Sequence, residues 1–272
     1  MEVKEKIRNC IRAYVIGDAL GVPFEFKREG TFKCTDFIGN GTYNKPVGTW
    51  SDDTSVLLCW IDAIVSHKED LFTTFKTNLK RWYYSGEFTV DGLFDIGNQT
   101  MSSIVNNFEI GLSDRMGNGA LFHCLPTVLY SLSEKDISDK FLTTQFPEFC
   151  KTTHYNENCF KFGTLFCLVI KNSLLNLQQQ LSDACIRSRV NYGDVISTYF
   201  TVLNSFNESV STTSSLKEDL CTMINKGNDT DTNAAFLGLL LGTKKPVELD
   251  DWLKVREHEY IDFYIDQLIE KI

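Results

Sequence analysis

An all-α fold in a single domain spanning residues 1–272 is predicted by three features of the sequence. Apolar residues recur at helical spacing through most of the chain, and no run alternates with the period of two that marks strands. Prolines number only five, low-complexity sequence is confined to the Gln178-Gln179-Gln180 tract, and there is no internal repeat. The apolar content of 43% is enough to build a buried core.

Each element follows from local spacing. Val3, Ile7, Ile11 and Tyr14 share one face of a first helix, which ends near Gly21 ahead of Pro23. A second helix begins at Ser51 or Asp52 and runs through Val56, Leu57, Trp60, Ile61 and Ile64. It is apolar nearly all round after a polar start, which places it in the core. Further helices are expected over 73–84, 96–107, 120–131, 162–177, 182–189 and 195–206, with a polar, serine-rich stretch over 207–215. Ala234, Gly238 and Gly242 put small residues every four positions on a late helix, where another backbone can approach closely. Ile261, Ile265, Leu268 and Ile269 mark an amphipathic last helix at the surface of a bundle.

Charge and cysteine usage narrow the function classes. Lysine and arginine total 27 against 36 acidic residues, a net charge of −9, which disfavours binding to a phosphate backbone and hence to nucleic acid. Apolar runs such as 165–170 and 236–241 fall far short of the roughly 20 residues a membrane span needs. The start of the chain has no signal-peptide core, because Asp18 breaks the apolar run. The nine cysteines are odd in number and include no C-x-x-C pair, which argues against zinc and against a disulfide framework. Several, among them Cys59 and Cys167, sit in apolar runs as small hydrophobes, and a reducing, cytoplasmic setting is expected.

Two acidic clusters carry the chemistry, Trp50-Ser51-Asp52-Asp53-Thr54 and Asn228-Asp229-Thr230-Asp231-Thr232, each at the expected start of a buried helix. One short oxygen side chain suffices to cap a helix, and capping is the simpler account of either cluster alone. Adjacent carboxylates leading into core residues are harder to explain that way. Like charges at partly buried sites repel and lose hydration unless a proton or a cation compensates. An all-oxygen set of carboxylates and hydroxyls suits magnesium, manganese or calcium.

These clusters, with four others, resemble the motifs of the ADP-ribosylglycohydrolases. Gly17-Asp18-Ala19-Leu20-Gly21 followed by Pro23-Phe24-Glu25 is similar to the family's opening G-D-A-x-G block and its downstream glutamate. Trp50 to Thr54 resembles W-T-D-D-T with serine for the first threonine, and Asp95-Ile96-Gly97-Asn98-Gln99-Thr100 resembles D-I-G-x-x-T. Gly117-Asn118-Gly119-Ala120 is similar to the glycine-rich loop, Thr153-His154 to a T-H motif, and Asp229 to Ala235 to D-T-D-T-x-A-A. The blocks keep their order over about two hundred residues. Two departures accompany them: Phe122 and His123 stand where the family has methionine and arginine, and Asn228 stands where it commonly has glycine.

The resemblance implies an orthogonal helix bundle with a binuclear metal site in a cleft. It implies two divalent cations, Mg2+ or alternatively Mn2+, held by Glu25, Ser51, Asp52, Asp53, Asp229, Asp231 and Thr232. It implies release of ADP-ribose from an ADP-ribosylated protein side chain or related conjugate, by attack of a metal-activated water on the anomeric carbon. Glu25, Asp52 and Asp53 are then the catalytic candidates, with Glu25 preferred as acid/base because it stands apart from the dense clusters. Gly117, Asn118, Gly119 and Ala120 are expected to turn backbone N–H groups toward the diphosphate at a helix start, with His154 near the distal ribose. Asp95 would hold a bound water or a sugar hydroxyl unless it only caps the next helix, and Asp18 reads as structural. The alternative from another class is a non-catalytic ADP-ribose binder or a crystallin-like structural member of the same fold, and retention of the ligand set favours the enzyme.

Overall fold

The computed structural model describes residues 2–66, 70–177 and 193–272. Among them are twelve α-helices and no strands beyond isolated bridges. They are α1 (Val3–Gly21), α2 (Asp52–Ser66), α3 (Leu71–Ser85), α4 (Asn98–Val105), α5 (Cys124–Ser133), α6 (Asp139–Cys150), α7 (Glu157–Leu174), α8 (Val195–Val210), α9 (Leu216–Ile224), α10 (Thr230–Leu241), α11 (Leu249–Trp252) and α12 (His258–Lys271).

The seam between α1 and α10 organises the bundle. A β-carbon built at Gly17 would lie 2.2 Å from the Ala234 carbonyl oxygen, and one at Gly238 would lie 2.2 Å from that of Ala13. Gly21 faces Asp231 and Gly242 faces Cys10 in the same way. The paired numbers run in opposite directions, so the helices are antiparallel with their backbones in contact. The end of α1 therefore meets the start of α10, which brings Asp18 and Glu25 to Asp229 and Asp231. The small-residue spacing read from 234–242 has its counterpart in Gly17 and Gly21 on α1.

Around this seam α2 is buried on nearly every side, as its apolar sequence requires. Trp60 stacks on Phe75 of α3 at 3.5 Å and on Phe149 of α6 at 4.4 Å, tying three helices together. The amphipathic α12 buries Ile261, Ile265 and Leu268 and bonds α1 through Arg12 to Asp262. No helix among the described residues is long and apolar enough to cross a membrane. Eight cysteines are free and buried, in keeping with their apolar surroundings.

Several boundaries differ from expectation, and three helices are additional. The segment from Asn118 to His123 is a 3-10 turn, and α5 begins only at Cys124. Helix α7 starts earlier, at Glu157, because the Asn156 side chain accepts from the Asn158 and Cys159 amides. Helix α8 extends to Val210, into the polar, serine-rich stretch. Helices α6, α9 and α11 were not anticipated, and the helix expected over 182–189 lies outside the described residues, as does Cys185.

Candidate active site

Three helix ends and two loops converge on one cleft of about 1140 Å³, which is roomy for a nucleotide-sized ligand. Glu25, Asp52, Asp95, Asp229 and Thr232 line it, together with Gly117, Asn118, Gly119 and His154. Ser51, Asp53 and Asp231 are buried behind that floor. Ala120 is fully buried and does not line the cleft.

Asp18 sets the position of the first acidic cluster. Its carboxylate accepts from the Ser51 amide at 2.9 Å, the Thr54 amide at 3.1 Å and the Thr54 hydroxyl at 2.5 Å. Two of the orphan N–H groups at the start of α2 are thus satisfied from α1, and Asp18 serves as that helix's cap. Asp52 and Asp53 are left to face elsewhere. Asp53 accepts from Tyr14 at 3.3 Å, Ser51 Oγ at 3.3 Å and Thr232 Oγ1 at 3.2 Å, which joins α1, α2 and α10. Asp52 accepts only a long bond of 3.4 Å from the Gly97 amide.

The second cluster has the same character. Asp229 occupies the N-cap position of α10 but makes no side-chain cap bond. Its carboxylate instead accepts from Asn118, whose amide also donates to Thr198 at 3.1 Å. Asp95 does not cap α4 either. It has φ of 56°, and its Oδ1 accepts from the Tyr43 hydroxyl at 2.5 Å. The capping account therefore fails at Asp52, Asp95 and Asp229 on geometry.

What remains is a concentration of acid groups without counter-charge. Glu25 Oε2 and Asp231 Oδ2 are buried with no hydrogen-bond partner. Carboxylate oxygens of Glu25, Asp95 and Asp231 lie within 4.8 Å of one another, as do those of Asp18, Asp53 and Asp231. No ion pair among the described residues involves any of these acids. Burial, then the Asp95 carboxylate, push the Glu25 carboxyl up to about 10. Burial also drives Asp52, Asp53 and Asp231 well above the usual range, with neighbouring carboxylates adding to it. Without a cation, such a site must hold protons to exist. The oxygen-only donor set, the two unpartnered oxygens and the missing counter-charge all fit hard divalent cations.

The glycine-rich loop lies at the cleft but does not open an α-helix. The Gly117 amide donates to Gln99 Oε1 at 2.9 Å, the Asn118 amide to the Gly193 carbonyl at 2.9 Å, and the Ala120 amide to the Gly117 carbonyl at 3.2 Å. These three donors are already committed and no α-helix starts at Ala120, but the Gly119 amide is not among them, and Gly117, Asn118 and Gly119 line the cleft. The loop's glycines also permit a close approach. A β-carbon at Gly117 would lie 3.3 Å from His154 Nε2, and one at Gly119 would lie 3.1 Å from the same atom.

A match to the ADP-ribosylglycohydrolase family spans residues 1–272. The chain belongs to that family. Over 134 residues it is 31% identical to an ADP-ribosylarginine hydrolase of Pseudomonas putida, covering 46% of this chain and 36% of that protein. Over 137 residues it is 31% identical to an ADP-ribosylarginine hydrolase of Serratia proteamaculans, covering 47% of this chain and 37% of that protein. The matched segments thus span little more than a third of those relatives' length. A solved structure described as an ADP-ribosylglycohydrolase-related protein complex has a TM-score of 0.79 at 20% identity over 99% of both chains, and shares the fold.

Departures from the ADP-ribosylglycohydrolase pattern have local explanations. Asn228 has φ of 65°, a left-handed conformation natural to the glycine it replaces and tolerated by asparagine. Its carbonyl accepts from the Phe26 amide at 2.7 Å, linking the loop after Glu25 to the entry of α10. Phe122 stacks on Phe236 at 6.1 Å, and His123 is buried. The sequence places Tyr14 only on the apolar face of the first helix and gives Tyr43 no role. Tyr14 lies one helical turn before Asp18 on α1, a spacing that marks it, whereas Tyr43 ends the short 3-10 turn Gly41–Tyr43 and has no periodic signal.

Proposed function

We propose that this chain hydrolyses the glycosidic bond of an ADP-ribosylated substrate with the aid of divalent cations, Mg2+ foremost. The observation that carries this reading is the pair of buried, unpartnered oxygens, Glu25 Oε2 and Asp231 Oδ2, among acids with no counter-charge. Glu25, Ser51, Asp52, Asp53, Asp229, Asp231 and Thr232 are the residues that would hold the cations. When bound, the cations supply electrostatic orientation of the sugar and a lowered pKa for water.

The remaining work belongs to the chain's own side chains. Glu25 is the proton carrier: it lines the cleft, its Oε2 has no partner, and its backbone carbonyl is anchored by the Thr42 hydroxyl at 2.7 Å. Asp53 holds its position through three hydroxyls and does not line the cleft, so its part is to position rather than to exchange protons. Asp52 lines the cleft with one long hydrogen bond and is the second candidate for proton exchange. Asn118 fixes Asp229, and Tyr43 fixes Asp95. The activity for which those relatives are named makes an arginine-linked ADP-ribose the first substrate to try.

The test is incubation with proteins and peptides carrying ADP-ribose on arginine, serine and other acceptors, with and without Mg2+, followed by mass spectrometry of both products. Free ADP-ribose and an unmodified acceptor, formed only with the metal, are expected. Tight ADP-ribose binding with no turnover of any conjugate would point instead to a binding protein.

A further inference from the structure

A line of hydrogen bonds runs from the core into the cleft and ends on His154. Trp60 Nε1 lies 2.9 Å from His123 Nδ1, His123 Nε2 lies 2.7 Å from Thr153 Oγ1, and Thr153 Oγ1 lies 2.8 Å from His154 Nδ1. All four residues are buried. An indole N–H only donates, so His123 Nδ1 must be the acceptor. A neutral His123 then carries its proton on Nε2 and donates to Thr153. The Thr153 hydroxyl, having accepted there, donates to His154 Nδ1. That leaves the His154 proton on Nε2, the atom against which Gly117 and Gly119 are packed.

We propose that Trp60, His123 and Thr153 form a relay that fixes His154 as an Nε2–H donor presented to an oxygen acceptor of bound ADP-ribose, a phosphate or ribose oxygen. The proposal rests on the ADP-ribose reading above. Burial supports it by keeping both rings neutral: His123 is held well below the usual range, and His154 is pushed down to about 3. A protonated His123 could not accept from the indole, and the order of donors would be lost. The glycines complete the arrangement, because a side chain at 117 or 119 would crowd the donor atom. His123 stands where the family pattern it resembles has arginine, so the relay uses a residue that departs from that pattern. Thr153 and His123 are positioning residues, and His154 is the group that touches ligand.

The test is the tautomer of His154, read by two-bond nitrogen–proton correlation NMR on histidine-labelled protein without ligand, with calorimetric ADP-ribose binding alongside in Mg2+. Wild type should show the Nε2–H form. Thr153→Val should admit the Nδ1–H form and weaken ADP-ribose binding roughly fivefold to tenfold, the usual scale for one hydrogen bond. Thr153→Ser, which keeps the hydroxyl, should restore both. An Nδ1–H tautomer in wild type would overturn the proposal whatever the variants do. So would a Thr153→Val protein that binds ADP-ribose as wild type does, or one that loses affinity with its tautomer unchanged. If ADP-ribose fails to bind wild type, the functional reading falls and the ligand contact with it, while the ligand-free spectrum still decides the relay.

Discussion

Glu25 combines three properties seldom found together: burial, an unpartnered oxygen and access to the cleft. Its carboxyl stays protonated far above the usual range because burial and Asp95 both oppose charge. Glu25→Gln keeps the size and an oxygen but cannot relay a proton. Hydrolysis should fall at least about a hundredfold, with little change in ADP-ribose affinity, as steady-state kinetics and calorimetry would register. Near-normal turnover would move the proton carrier to Asp52. In the sequence, Glu25 was distinguishable only by the motif it resembles, since an isolated glutamate after a proline is otherwise an ordinary surface residue. Its unpartnered oxygen comes from residues distant in the chain. Asp95, held by Tyr43 from a separate segment, lies close to it, and no local pattern encodes that.

At the level of helices, the site exists because α1 and α10 touch backbone to backbone. Gly17→Ala would drive a methyl into the Ala234 carbonyl, and overpacking of this kind costs roughly 1–3 kcal/mol. The separation of Asp18 from Asp231 should grow with it. Thermal melts should show the loss of stability, and affinity for Mg2+ should fall in the same variant although no proposed ligand is altered. This seam was legible in the spacing of Ala234, Gly238 and Gly242, as were α1, α2 and α12 from their apolar faces. The helices missed lacked such clean periodicity. Pro147 interrupts α6, and α11 is a single turn. Helix α9 did carry a signal: Ser215 and Glu218 form a capping box, whose S-x-x-E pattern lies at the edge of the polar, serine-rich stretch. The 3-10 turn before α5 was unreadable, because the same apolar residues suit either helix.

For the molecule as a whole, the uncompensated acids make stability depend on protons and, on the proposed function, on cations. A carboxyl whose folded pKa is raised contributes stability that is present at low pH and lost as pH rises through the folded value. Glu25, at about 10 when folded against an ordinary 4.5, is such a group throughout neutral pH, and Asp52, Asp53 and Asp231 share its direction. Below pH 6.5 the buried, neutral His123 and His154 work the other way, because unfolding lets them take up protons. In chelator, the melting temperature should therefore climb as pH is lowered from about 8.5 to 6.5, by an amount equivalent to about 1.4 kcal/mol per pH unit for each carboxyl that stays protonated. Saturating Mg2+ should flatten or reverse that slope, since cations bind the ionised acids and displace their protons. Asp52→Asn combined with Asp53→Asn should leave the chelated protein as stable as wild type or more so, which capping residues would not allow. The proposed function requires this acidic floor to hold cations. Calorimetric titration of Mg2+ into wild type and the Asp52→Asn, Asp53→Asn double variant at neutral pH tests it most directly. Saturable binding with proton release in wild type, and none in a folded double variant, is the result predicted; no Mg2+ binding to wild type, or equal binding by both proteins, would contradict it.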